Sequence, residues 1–287
     1  MDRKSGQVGA PRSPARRRFL RRLLGTASAL IAVGAYGHTI GANDLEVVRT
    51  RISVPSWPPH EPELRIGFLS DFHCDSDSAV NRAHRSVQML MAESPDIVLL
   101  GGDFVTYDAA AWIDVMVAAI APLSAAPLGA FGVLGNHDWW CHQPFQIAAG
   151  LNNVGIRILM NQAAPVPRHP GIWILGLDSA TDHHDRVDLA LNSTPPDAVV
   201  KILLLHEPDP ADSMPAGFGL QLSGHSHGGQ VRVFGRPIYT PPLAKIYQQG
   251  LMQARNHPIY VTRGIGMMGP PIRIDCPPEV SVITLGA

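Results

Sequence analysis

Five short segments of this chain place metal-ligand residues at or just past the end of an apolar run. They are Asp71-Phe-His73, Gly101-Gly-Asp103, Gly135-Asn-His-Asp138, His206 after Lys201–Leu205, and Gly224-His-Ser-His-Gly-Gly-Gln230. Four of the five directly follow an apolar run of strand length. A parallel sheet whose strands point the same way delivers such residues to one edge. That would gather Asp71, Asp103 and Asn136 with five histidines: His73, His137, His206, His225 and His227. Such a set can hold two cations. Two cations about 3.5–4 Å apart are the standard device for hydrolysing phosphate esters.

The remaining pattern fits that edge. Leu64–Ser70 reads as a buried strand, Ala79–Glu93 as a helix stopped before Pro95, Asp96–Leu100 as a strand, and Ala109–Ile120 as a helix stopped by Pro122. Ala130–Leu134 and Pro144–Asn152 continue the alternation of strand and helix. After that, Ile172–Leu177, Val200–Leu205, Leu220–Leu222, Gln230–Phe234, Ile259–Thr262 and Val280–Leu285 read as strands with few helices between them. The expected fold is α/β, with two packed mixed β-sheets flanked by helices. The catalytic body is expected to run over 64–287. Residues 43–63 are expected to be a linker or edge region, where Pro55, Pro58, Pro59 and Pro62 forbid a regular helix.

The N-terminus reads as an address. Ala15-Arg-Arg-Arg-Phe-Leu-Arg21 has the form of a twin-arginine export signal, with Arg16 and Arg17 as the pair. No charged residue occurs from Leu23 to Asn43. Residues 1–42 are therefore expected to be a signal peptide or a membrane anchor. Small residues at Ala27-Ser-Ala29 and Gly41-Ala42 offer cleavage sites, whereas an uncleaved stretch over 23–42 is just long enough to span a bilayer. The expected location is the periplasm or cell envelope, with the twin-arginine export machinery as a partner.

The formal net charge of −1 hides an asymmetry. Residues 1–22 hold eight of the 23 Lys and Arg and one acid, which leaves 15 basic and 23 acidic residues in the body. A body with a net charge of −8 does not suit binding along a phosphate backbone, so no nucleic-acid partner is expected. It does not exclude a phosphorylated substrate, because bound cations supply local positive charge. The three cysteines, Cys74, Cys141 and Cys276, match no zinc spacing and make no disulfide framework.

Asp71 and His73 lie two apart at a strand end, a spacing that in extended backbone puts both side chains on one side. Asp103 follows two glycines that leave room for a tight turn, and its two oxygens suit it to bridge two cations. Asn136 offers a neutral carbonyl oxygen. His137 is adjacent and faces elsewhere. Trp139 and Trp140 follow directly, either as an apolar wall for a leaving group or as ordinary packing. Each motif alone is common; the ordered combination carries the inference.

These segments resemble those of the calcineurin-like metallophosphoesterase superfamily. The block from Gly224 to Val231, with Tyr260-Val-Thr-Arg-Gly-Ile-Gly266 and Pro277-Pro-Glu-Val280, resembles its bacterial twin-arginine-exported, phosphodiesterase-like branch. The resemblance covers about residues 64–285 and implies an α/β/β/α sandwich. It implies one metal on Asp71, His73, Asp103 and His227, and a second on Asp103, Asn136, His206 and His225. It also implies attack on phosphorus by a metal-activated hydroxide, with His137 as general acid or hydrogen-bond donor and Asp138 orienting His137 or a ligand. The mixed donor set suits two divalent or mixed-valence ions, Mn, Fe or Zn. The expected activity is a phosphodiesterase that hydrolyses phosphodiester or pyrophosphate bonds in the cell envelope, lipid-linked phosphate substrates included. The competing reading is a metal-binding envelope protein with little or no activity.

Overall fold

The computed structural model describes residues 14–107 and 109–287. Residues 1–13 of the basic N-terminus, and the side chains of Arg16, Arg17 and Leu20 in the export signature, lie outside the described residues. In chain order the strands are β1 (Glu46–Ser53), β2 (Leu64–Leu69), β3 (Ile97–Leu100), β4 (Ala130–Gly132), β5 (Ile156–Ile158), β6 (Gln162–Pro165), β7 (Ile172–Gly176), β8 (Val200–Leu204), β9 (Leu220–Ser223), β10 (Arg232–Val233), β11 (Arg236–Pro237), β12 (Gly250–Gln253), β13 (Pro258–Val261) and β14 (Glu279–Gly286). The α-helices are α1 (Pro14–Tyr36), α2 (Asp77–Ala92), α3 (Ile113–Ile120), α4 (Asn136–Trp140), α5 (Pro144–Asn153) and α6 (Val187–Asn192).

Two six-stranded sheets form the body, ordered β1-β14-β2-β3-β4-β5 and β12-β13-β9-β8-β7-β6. Strands β2 to β5 run parallel in the first sheet, as do β7, β8, β9 and β13 in the second. The other strands are edge or antiparallel additions: β14 is antiparallel to β2, β6 to β7 and β12 to β13. The mixed α/β architecture with two packed sheets is the one the alternation of elements implies.

The apolar runs are unbroken because both faces of each sheet are covered. Along β2 and β3, Leu64, Ile66, Phe68, Ile97 and Leu99 point between the sheets, where they meet Ile172, Ile174, Ile202, Leu204, Leu220 and Leu222. The alternate residues Leu69, Val98 and Leu100 point outward, under α2, α3 and α5. Helix α2 buries Val80, Ala83, Val87 and Leu90, a stripe at helical spacing. It is started by Ser76, whose side chain accepts the Ala79 N–H.

Three departures from the sequence expectations have local causes. Residues 43–63, expected as a linker or edge region, supply an edge strand: Glu46–Ser53 forms an eight-residue strand in register with all of β14, and Ile52, Val54 and Trp57 are buried. The first sheet thus takes in a strand that starts before Leu64. The prolines that exclude a helix all lie after this strand. The strand expected over Gln230–Phe234 shrinks to a two-residue ribbon with β11, because Gly235 turns the chain back. Strands β5, β6 and β12, each of three or four residues, were too short to stand out as apolar runs.

Candidate metal centre

The parallel strands place the five motifs together. Asp71 and His73 follow β2, Asp103 follows β3, and Asn136 and His137 open α4 after β4. His206 follows β8, and His225 and His227 follow β9. The loops are bound to one another by backbone hydrogen bonds: Asp71 N to Gly102 O, His73 N to Asp103 O, Gly224 N to His206 O and Ile265 N to Ser70 O. Every one of these side chains is buried, and His227, the most exposed, is 7% accessible.

Strand alternation does not explain how Asp71 and His73 come to share a site. Strand β2 has ended, and both residues adopt left-handed backbone, with φ of 58° and 45°. Asp103, His225 and His227 do the same. Such conformations each cost on the order of 1–3 kcal/mol and concentrate where function demands them. Glycine is required beside them. A Cβ on Gly135 would collide with the Asp103 carboxylate, and one on Gly224 would meet Ser70 Oγ and Asp71 Oδ2.

The donor atoms converge in two groups joined by Asp103. In the first, His73 Nε2 lies 3.1 Å from His227 Nε2, which is 3.5 Å from Asp71 Oδ1. In the second, His206 Nε2 lies 3.2 Å from His225 Nδ1. Asp103 Oδ2 stands between them, 3.4 Å from His73 Nε2 and 3.1 Å from His206 Nε2. Two donors held about 2.1 Å from a common cation are separated by about 3.0–3.4 Å at right or tetrahedral angles, so these spacings fit shared cations.

The tautomers strengthen the case. His206 donates from Nδ1 to Gly101 O at 2.6 Å, and His225 donates from Nε2 to Pro242 O at 2.8 Å. Their facing nitrogens, His206 Nε2 and His225 Nδ1, are therefore both lone-pair atoms in the neutral rings. Two lone pairs and a carboxylate at this separation require a positive charge among them. Burial opposes a proton there, but the Asp103 and Asp71 carboxylates raise the His206 pKa well above its ordinary value. Asn136 Oδ1 is buried without a hydrogen-bond partner, as expected of an atom reserved for a ligand. These donors fit two cations.

The remaining electrostatics follow from burial. Burial takes His73 down to about 3, with His137, His206 and Arg82 adding to the effect. Burial, reinforced by the Asp103 charge, pushes Asp71 up to about 6. Burial would raise Asp103 too, but the facing His206 and His137 hold it well below the usual carboxylate range.

Asp138 does not hydrogen-bond the His137 ring. Its oxygens accept four backbone N–H groups: Gly135 and Asp103 on Oδ2, at 2.9 and 3.0 Å, and Phe104 and Val105 on Oδ1, at 2.8 and 3.3 Å. It positions the Asp103 turn. His137 donates its backbone N–H to Asp103 Oδ1 at 2.9 Å, and its ring stands edge-on to His73 and Trp140. Trp140 is 41% exposed and Tyr107 51%, and both flank His137 at the mouth of the site. Trp139 is turned away, bonded to Asp178 and stacked on His184. The three cysteines are buried, free thiols.

Two positioning residues escaped the sequence reading. Glu207 is fully buried beside His206 and accepts hydrogen bonds from the Ser179 hydroxyl and from both the N–H and the hydroxyl of Thr181. Burial raises its pKa, but His206 and His225 outweigh that and bring it below normal. Arg273 is also fully buried. It donates to the carbonyls of Arg263, Gly264, Gly266 and Cys276, which fastens the loop lying against Asp71. In sequence both resemble ordinary loop charges; only the partner following a ligand histidine hints at Glu207.

Residues 64–229 match the family model for calcineurin-like phosphoesterases. The chain is 30% identical over 279 residues to YkuE, a metallophosphoesterase of Bacillus subtilis, covering 94% of this chain and 97% of that protein. It is 29% identical over 277 residues to the phosphodiesterase YaeI of Escherichia coli, covering 94% and 98%. A transmembrane protein with a metallophosphoesterase domain from Danio rerio is 30% identical over 275 residues, 90% of this chain and 61% of that one. The chain belongs to the calcineurin-like phosphoesterase family and is a metallophosphoesterase.

Proposed function

We propose that this chain is a binuclear metal-dependent phosphodiesterase that hydrolyses phosphodiester or pyrophosphate bonds of envelope substrates, including lipid-linked ones. The observation that carries the reading is Asp103 Oδ2, poised between His73 and His206 and so between two groups of donors. Asp71, His73, Asp103 and His227 would hold one cation, and Asp103, Asn136, His206 and His225 the other. Mn, Fe or Zn suits this mixture of imidazole, carboxylate and amide. Such a pair supplies an acidified water and neutralises charge on the phosphoryl oxygens.

The protein groups do the rest. His137 sits at the mouth, 6% exposed, with its backbone tied to Asp103. Burial lowers its pKa against the pull of Asp103, which favours the neutral ring. Its role is then hydrogen-bond donation to the leaving or a phosphoryl oxygen. Trp140 and Tyr107 border the leaving group's exit. Hydrolysis of bis-p-nitrophenyl phosphate, compared with p-nitrophenyl phosphate under Mn, Zn, Fe or no metal, tests the proposal. We expect metal-dependent cleavage favouring the diester. His137→Ala should keep its metal and lose about 10²–10³-fold in kcat. A preference for the monoester would refute the diesterase reading. Full metal without turnover on either ester would favour a binding protein.

The N-terminal segment supports an envelope location. Arg21–Gly41 is 21 residues long, enough by length and composition to cross a bilayer. Leu23, Leu24, Ile31 and Val33 on α1 are all exposed. An unpartnered apolar helix of this kind suits a membrane anchor or an export signal. We expect the full chain to stay with membranes through an alkaline carbonate wash, and a variant lacking residues 1–36 to appear in the supernatant. Release of the intact chain would refute the anchor.

A further inference from the structure

A cavity of about 530 Å³ opens beside the metal centre, between the start of α2, the loop Met267–Pro271 and the turn His38–Asn43. His73 lies in its wall, so the cavity adjoins the proposed ligands. Arg82 lines it as well. This arginine is only 4% exposed, and its Nε is buried with no hydrogen-bond partner. Among the described residues no carboxylate is within ion-pair distance of its guanidinium. Asp75 also lines the cavity, but it is exposed to solvent. A buried guanidinium without an anion is unfavourable, and fold packing gives no reason for it, since the apolar stripe of α2 is carried by other residues.

The start of α2 forms the adjoining wall. Ser76 and Ser78 line the cavity there, at the positive end of a 16-residue helix. The third wall is the root of the apolar N-terminal segment. His38 Nδ1 donates to Pro271 O at 3.0 Å, and Arg273 N donates to Gly37 O at 3.1 Å, which fixes that root to the body. A cavity at this place lies between the metal centre and the candidate membrane span.

We propose that the cavity is an anion subsite in which Arg82, with Ser76 and Ser78 at the start of α2, binds a second phosphate group of the substrate while the scissile phosphate lies at the metal centre. This rests on the phosphoesterase reading of the site and adds a substrate requirement to it: two neighbouring phosphates, as in a pyrophosphate. A lipid-borne and a soluble pyrophosphate share this chemistry. The guanidinium offers a planar fork of donors matched to phosphate oxygens.

The test measures binding to the full chain in detergent, with Mn in excess over every ligand, by calorimetry. Orthophosphate reports the metal centre alone; methylenediphosphonate, the pyrophosphate analogue whose carbon bridge cannot be hydrolysed, reports both subsites and stands for pyrophosphate in every comparison below. We expect pyrophosphate to bind at least about tenfold more tightly than orthophosphate, the size of one charge-assisted contact. Arg82→Gln should reduce that preference to within about threefold of unity. The charge-matched control Arg157→Gln, on exposed β5 surface, should keep it. Ser78→Glu places a negative charge at the cavity rim without touching the core and should also remove the preference; it decides the matter if Arg82→Gln fails to fold. Wild-type protein without the preference, or both variants retaining it, would overturn the subsite. Geranylgeranyl diphosphate in micelles identifies the source: tighter binding than pyrophosphate supports a lipid-borne ligand, and equal binding supports a soluble one. Absence of bis-p-nitrophenyl phosphate turnover in the wild type would instead strike at the phosphodiesterase reading, independently of these binding ratios.

Discussion

Asp103→Asn should lower kcat for diester hydrolysis by on the order of 10³-fold or more and leave the protein unable to hold two metals. The substitution is nearly isosteric, so the fold should survive. What changes is the oxygen that faces both His73 and His206, 3.4 and 3.1 Å away. An amide has one good acceptor oxygen, and the other, Oδ1, is already engaged by the His137 N–H at 2.9 Å. If the amide oxygen stays with that N–H, its NH₂ points at the site where both cations need an anion. If it rotates, a donor opposes the His137 N–H. Inductively coupled plasma mass spectrometry of the purified variant, with turnover at saturating Mn, checks both effects. Two metals per chain with near-normal kcat would remove Asp103 from its bridging position.

The second large effect is on stability. Asp138→Asn should destabilise the protein by about 3 kcal/mol, lowering Tm by about 6–12 °C, and reduce kcat/KM by about 10–100-fold. The cause is a count of donors. Four N–H groups converge on the two oxygens, two on each. Whichever oxygen the amide replaces, an NH₂ then faces two backbone donors in a fully buried site. The loop carrying Asp103 is held to Gly135 through this side chain, so the loss should reach the metal centre although Asp138 touches no proposed ligand side chain. Thermal unfolding of metal-loaded protein measures the first effect. An unchanged Tm would show that the turn is held by its other contacts.

The two predictions separate residues that the sequence presents together. Asp103 and Asp138 both close a glycine-containing motif after an apolar run, and both read as site carboxylates. The structure gives them different tasks: one faces the centre, and the other faces backbone. Sequence spacing cannot make that distinction, because it depends on which N–H groups the loop after β3 turns toward α4. The pairing of Asp71 with His73 shows the same limit. Their spacing of two suggested strand alternation, but their juxtaposition comes from left-handed backbone at both residues. Such conformations are set by neighbouring loops, including the contact of Gly264 against Asp71.

What could be read from residue order was the set of donors and the side of the sheets on which they lie. Buried strands advertise themselves as unbroken apolar runs, and parallel strands must release their C-terminal residues at one edge. The five motifs are short and local, so this inference needs no knowledge of distant contacts. Folding in space decided everything that depends on partners far along the chain. Glu46–Ser53 became a strand because β14, more than 200 residues later, offers an edge to pair with. Arg273 became a clasp because three carbonyls of the Arg263–Gly266 loop and that of Cys276 surround it, and Arg82 became notable because its Nε is buried with no hydrogen-bond partner. A charged residue in a sequence carries no sign of whether it will be solvated, satisfied or left open for a ligand. That depends on burial, which is a property of the packed molecule rather than of the residue.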